Sequence, residues 1–157
     1  LAGLILEAPA KLPRSILFLC GMNAIRSPMA EAIGRAALPP GIFIASAGVR
    51  AGQRDPFVDA VLAELELSIG DRQPVRLEDL EDAYFDLIVT LAPEAHHAAL
   101  ELTRSMAIEV EYWPTADPSA ATGTRERIME AYRDVRDRLA ARITERFHSG
   151  ELSPATE

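Results

Sequence analysis

Four short apolar runs, each followed by a stretch with helical spacing, limit how this chain can fold. Ser15–Cys20 reads as a buried strand and Pro28–Ala37 as the helix after it. Pro39-Pro40-Gly41 then breaks the chain before a second strand, Ile42–Ala47. Asp55-Pro56 opens a helix with Pro56 at its first position, and Phe57, Val58, Val61, Leu62 and Leu65 form one apolar stripe along it. Leu77–Ala83 reads as a short acidic helix, Phe85–Thr90 as the third strand, Pro93–Leu102 as the next helix and Ala107–Tyr112 as the fourth strand. A loop from Trp113 to Gly123 leads into a last helix, Thr124 to Phe147, with Ile128, Tyr132, Val135, Leu139, Ile143 and Phe147 as its buried stripe. Ser149 to Glu157 reads as a frayed tail. Strands alternating with helices predict an α/β fold built on a parallel sheet covered on both faces. Ligands of such open sheets bind beyond the carboxyl ends of the strands, where both Cys20 and the loop after Tyr112 fall.

A chain of 157 residues is expected to form one domain, here 15–148, flanked by an extension over 1–14 and the tail over 149–157. Leu1 to Ala10 is apolar but short and lacks a basic leader, so it reads as an extension and not as a signal peptide. No run approaches the roughly 20 apolar residues of a membrane span. A formal net charge of −8 argues against a nucleic-acid partner, which calls for a basic surface. The single cysteine rules out an internal disulfide, a Cys-x-x-Cys pair and a cysteine-cluster metal site. A cytoplasmic location with no membrane partner is the simplest expectation.

That cysteine ends the first strand, in Leu17-Phe18-Leu19-Cys20-Gly21-Met22-Asn23-Ala24-Ile25-Arg26-Ser27-Pro28. The loop between Cys20 and Arg26 can curl so that its backbone N–H groups converge on an anion. Arg26 can grip two oxygens in a bidentate fork. Ser27 reads as an N-cap and Pro28 as the first helical residue, which would aim a helix N-terminus at the same point. A helix N-terminus and a cationic neighbour also favour a thiolate over a thiol, so the same field would ready Cys20 as a nucleophile. A strand-terminal cysteine is equally an ordinary small core residue. Cys-x5-Arg spacing alone does not separate the two readings; its position between a strand and a helix start favours the anion site.

Cleavage of a phosphate ester by a thiolate needs a proton donor for the leaving alcohol. Asp117, in Trp113-Pro114-Thr115-Ala116-Asp117-Pro118, lies in a loop expected on the same rim, with Pro118 restricting its backbone. An Asp-Pro pair is also a common turn and helix-start signal, as Asp55-Pro56 illustrates. With these pieces in hand the chain resembles the low-molecular-weight protein-tyrosine phosphatases, a family that includes arsenate reductases of the same fold. The resemblance rests on Cys20 to Ser27 with Pro28-Met29-Ala30-Glu31, on Ser46-Ala47-Gly48, on Phe85-Asp86-Leu87-Ile88-Val89-Thr90, and on Asp117-Pro118 before the terminal helix.

The resemblance implies a three-layer α/β/α sandwich with a four-stranded parallel sheet. It implies a phosphate-binding loop of Gly21, Met22, Asn23, Ala24, Ile25, Arg26 and Ser27, with Ser27 hydrogen-bonded to the Cys20 sulfur, Asn23 bracing the loop and Ser46 behind it. Asn23 is equally legible as a turn residue. Hydrolysis would then run through a cysteinyl-phosphate on Cys20, with Arg26 on the equatorial oxygens and Asp117 as general acid and then base. No metal or organic cofactor is called for. Phosphate, sulfate and vanadate are expected site ligands, and a phosphorylated protein or a small phosphate monoester is the expected partner, with protein phosphotyrosine foremost.

The chain departs from the family pattern in several places. Met22 stands where the common loop has glycine and Ile25 where it has a second cysteine, which removes a partner that would protect Cys20 from overoxidation. Ser119-Ala120-Ala121-Thr122-Gly123 lacks the tyrosines of many phosphotyrosine-directed members, Arg50-Ala51-Gly52-Gln53 lacks an aromatic, and Leu91-Ala92 replaces an acidic residue. Two rivals stay open: an arsenate reductase coupled to a small thiol, and a non-catalytic module that binds oxyanions or a partner. His96-His97 point about 100° apart on a helix and do not converge on a metal. Tyr112 and Trp113 are either rim or core residues.

Overall fold

In a computed structural model the described residues are 12–80 and 84–155, with side chains described to Phe147. The strands are β1 (Ser15–Cys20), β2 (Phe43–Gly48), β3 (Leu87–Thr90) and β4 (Glu109–Tyr112). They form one four-stranded sheet in the order β2-β1-β3-β4, with every pair parallel. The helices are α1 (Arg26–Ala37), α2 (Pro56–Ala63), α3 (Pro93–Leu102) and α4 (Arg125–Ala155). This is the three-layer arrangement the sequence predicts.

The pleat sends alternate β1 residues to opposite faces. Ile16, Phe18 and Cys20 join Met29 of α1, Val61 of α2 and Tyr132, Leu139 and Phe147 of α4 in one core. Leu17 and Leu19 meet Ala95 and Ala99 of α3 on the other face. Phe18, Leu17, Leu19 and Ile16 are fully buried, and each such side chain contributes about 1.5–3 kcal/mol of transfer free energy. The strand that ends in Cys20 is therefore firmly anchored in the sheet.

The element limits differ from the sequence reading where pairing, not hydrophobicity, decides them. Phe85 is buried and stacks on Phe43, yet ladder pairing in β3 begins only at Leu87. β4 likewise starts at Glu109 rather than Ala107, and β2 is shifted by one residue. The acidic segment forms a single turn of 3₁₀ helix, Leu77–Asp79, which ends at Leu80 in extended backbone, and 81–83 of that expected helix lie outside the described residues. In α2, Val58, Val61 and Leu62 are buried, whereas Leu65 lies past the helix end and is exposed. The backbone expected to fray from Ser149 continues α4 to Ala155. The expected 1–14 extension falls mostly outside the described residues. Among those described, no helix is long and apolar enough to cross a membrane.

Candidate active site

β1 delivers Cys20 to the carboxyl edge of the sheet, and the chain turns at once through residues 21–25 into α1. The adjacent segment runs beside this turn: Val49 donates to the Cys20 carbonyl at 3.0 Å, Arg50 to Gly21 at 2.8 Å and Gly52 to Met22 at 2.8 Å. Gly48 makes the approach possible. A methyl carbon there would lie 2.6 Å from the Asn23 nitrogen and 2.8 Å from the Met22 carbonyl carbon, and would strike the Arg50 carbonyl oxygen as well. The backbone N–H groups of Met22, Asn23, Ala24 and Ile25 donate to no acceptor among the described residues. Four unclaimed donors beside a cysteine are what an oxyanion requires.

The expected Ser27 cap is not formed. α1 begins at Arg26, its N-cap is Ile25 without a side-chain cap bond, and Ser27 and Pro28 lie inside the first turn. Proline is tolerated there because the first amides of a helix have no intrahelical acceptor. Freed from capping, the Ser27 hydroxyl stands 2.9 Å from the Cys20 sulfur, with the Ala47 carbonyl oxygen at 3.3 Å as its alternative acceptor.

Asn23 is the left-handed residue of the loop, at φ 52°, a conformation asparagine tolerates better than most side chains. Met22, which stands in place of the family's glycine, keeps out of the left-handed region, so its Cβ is no obstacle; its side chain is 43% exposed at the rim and packs on Gly52. The Asn23 amide donates to Ser27 Oγ at 2.8 Å and Ser46 Oγ at 3.0 Å, and accepts from the Val75 N–H at 2.9 Å and Arg72 at 3.2 Å. Ser46 in turn donates to the buried Glu31 carboxylate at 2.6 Å. Sequence reasoning missed Arg72 and gave Glu31 no role, although Glu31 closes the Pro28-Met29-Ala30-Glu31 match. An acidic residue amid the small and apolar side chains of α1 was the signal of its buried pairing.

Arg26 is mostly buried. Its Nη1 donates to the Thr115 carbonyl at 2.9 Å and its Nη2 lies 3.8 Å from Asp117 Oδ2. Asp117 caps the 3₁₀ turn Pro118–Ala120, accepting from the Ser119 N–H at 3.0 Å and hydroxyl at 2.7 Å. Burial pushes the Asp117 carboxyl up, but the Ser119 hydrogen bonds and the Arg26 charge outweigh it, so the group sits below the usual aspartate range. Ser119 is a third residue the sequence reading missed, because it stood there only as the loss of a tyrosine.

Cys20, Arg26 and Asp117 line one cavity of about 250 Å³, together with Met22, Asp55 and Ser119. Asp55 caps α2 by accepting from the Phe57 N–H at 2.8 Å and is also held by the Tyr132 hydroxyl at 2.6 Å. Burial and the neighbouring carboxylates raise the Tyr132 phenol, which keeps it a donor. A larger cavity of about 540 Å³ lies between the Trp113–Ala116 segment and α4 and does not include Cys20. The smaller cavity, not the larger one, gathers Cys20, Arg26 and Asp117. Trp113 packs between Phe18 and Phe147, and Tyr112 stacks on His96, whose Nδ1 is 3.0 Å from Thr90 Oγ1. Among the described residues no His, Cys, Asp or Glu group could hold a metal ion.

Residues 15–149 match the family profile described as low molecular weight phosphotyrosine protein phosphatase. An arsenate reductase of Shouchella clausii is 33% identical over 138 residues, covering 87% of this chain and 96% of that protein. The low molecular weight protein tyrosine phosphatase from T. tengcongensis superposes with a TM-score of 0.70 at 25% identity, covering 85% of this chain and 97% of that one. The YwlE arginine phosphatase from Geobacillus stearothermophilus shares the fold with a TM-score of 0.72 at 23% identity, covering 89% of this chain and 96% of that one. A parallel sheet that ends in a cysteine-to-arginine loop, matched by that profile over nearly the whole chain, makes this protein a member of the low molecular weight phosphotyrosine protein phosphatase family.

Proposed function

We propose that the chain hydrolyses phosphate monoesters through a covalent intermediate on Cys20. The observation that carries this reading is the convergence of the Cys20 sulfur, the Arg26 guanidinium and the Asp117 carboxylate on one cavity, beside four unclaimed loop amides. The Cys20 thiolate attacks phosphorus, forming an S–P bond as the P–O bond to the leaving group breaks in line. Arg26 and the loop amides take the three equatorial oxygens. Protonated Asp117 gives its proton to the leaving oxygen, then accepts one from the water that cleaves the S–P bond.

The substrate is a phosphorylated protein or a small phosphate monoester, with protein phosphotyrosine the first to test. The cavity's apolar lining comes from Met22, Ala24 and Ile25, and no aromatic ring lines it among the described residues. Aromatic walls give selectivity for an aryl group beyond simple burial, so this mouth suits small or alkyl leaving groups as well as aryl ones.

The arsenate reductases among the relatives favour a second reading. The chain's one cysteine leaves no intrachain thiol relay. Cys20 and an external small thiol would end as a mixed disulfide while As(V) falls to As(III). Hydrolysis of p-nitrophenyl phosphate, blocked by vanadate, supports the phosphatase reading. Arsenate-dependent oxidation of a small thiol without phosphate ester turnover supports the reductase. Oxyanion binding with neither activity would mark a binding module.

A further inference from the structure

Met22 has a side chain at the cavity mouth that the chemistry at phosphorus does not use. The apolar lining there comes from Met22, Ala24, Ile25 and Gly52. Ala24 is small, and Ile25 already packs against the main core. Of these residues only Met22 is both large and exposed. The Gly52 N–H donates to the Met22 carbonyl at 2.8 Å, which holds residue 52 against it. A methyl carbon at 52 would lie 3.1 Å from Met22 Cβ and 3.3 Å from Met22 Cε, closer than carbon atoms pack without strain. Glycine at 52 therefore leaves the room that the Met22 side chain fills. Any larger residue at 52 would begin by displacing Met22, so this part of the mouth is walled by the methionine.

The two kinds of wall select differently. An aromatic wall favours a ring, through the geometry of paired π-systems. Methionine is unbranched and has three rotatable bonds, so its thioether reshapes itself over chains and rings alike. We infer that Met22 is the specificity-determining residue of this mouth, selecting phosphate monoesters by the apolar area next to the phosphate, whether chain or ring, over those with a polar group there. The inference rests on the reading of this cavity as the phosphate site and names the class of leaving group it takes.

The test is calorimetric titration of the full chain with hexylphosphonate, benzylphosphonate and 3-hydroxypropylphosphonate, each set against inorganic phosphate. All four ligands use Arg26 and the same loop amides, so the affinity ratios read the Met22 side chain without any turnover. In wild type the hexyl and benzyl ligands should bind within about threefold of each other, and both more tightly than the hydroxypropyl one. Met22→Ala should lower the hexyl and benzyl ratios alike, by roughly three- to tenfold. Met22→Leu keeps most of the apolar area and should lower them by about twofold or less. Ratios that Met22→Ala leaves in place would overturn the inference, as would a loss confined to benzylphosphonate, an equal loss in Met22→Leu, or a hydroxypropyl ligand that binds wild type as well as the others. Wild type that binds these ligands but hydrolyses no phosphate ester would remove the catalytic reading and leave the ratios to decide this one. Wild type that binds no oxyanion would overturn both.

Discussion

The Arg26 guanidinium stands 3.8 Å from the Asp117 carboxylate, near enough to feel its charge and too far for a tight fork. Its firmer bond is to the Thr115 carbonyl at 2.9 Å, which ties the start of α1 to the loop that follows β4. With Asp117 half exposed, the ion pair is screened and contributes little to stability. Arg26 can therefore turn its free edge to a phosphate without breaking a strong interaction.

Asp117→Asn should slow esters with poor leaving groups far more than those with good ones. General acid catalysis contributes about 10²–10⁴-fold where the leaving oxygen needs a proton. Comparing an alkyl phosphate with p-nitrophenyl phosphate checks this. Equal losses on both would mean that Asp117 is not the acid.

The acid must be protonated to act, and Asp117 in the free protein is held below the usual aspartate range by Ser119 and Arg26. The protonated fraction falls as pH rises, so kcat/KM should decline with rising pH from an early point. A bound phosphate dianion disfavours the carboxylate, so the matching limb of kcat should lie at higher pH. Ser119→Ala removes the 2.7 Å hydroxyl bond to the carboxylate and should move the kcat/KM limb upward. Full pH–rate profiles of the two proteins test the sign; a limb that stays put or moves down would separate Ser119 from the acid.

Gly48→Ala should damage the loop more than the sheet. The added methyl would sit 2.6 Å from the Asn23 nitrogen, and overpacking of this kind costs about 1–3 kcal/mol. Urea denaturation would give the stability loss, and calorimetric titration with inorganic phosphate should show weaker binding. Unchanged phosphate affinity would mean that the loop tolerates the displacement.

The elements were legible because β1, α3 and the stripe of α4 carry their signals locally, in apolar runs and in Pro93 at a helix start. Cys20, Arg26 and Asp117 were legible as residue types suited to the chemistry at strand ends. What sequence concealed depends on distant contacts. Ser27-Pro28 has the composition of a cap and a first helical residue, and only the hydroxyl's position beside the sulfur distinguishes its place inside the first turn. Arg72 lies in a stretch without periodicity, and its partners Asn23, Glu31 and Ser46 come from a loop, a helix and a strand far earlier in the chain. Pairing across such separations leaves no local pattern.

The most direct test of the account compares wild type with Cys20→Ser, measuring p-nitrophenyl phosphate hydrolysis and inorganic phosphate binding on the same samples. The account predicts that the serine variant loses turnover and still binds phosphate, because Arg26 and the loop amides remain. Full hydrolytic activity in Cys20→Ser would contradict it.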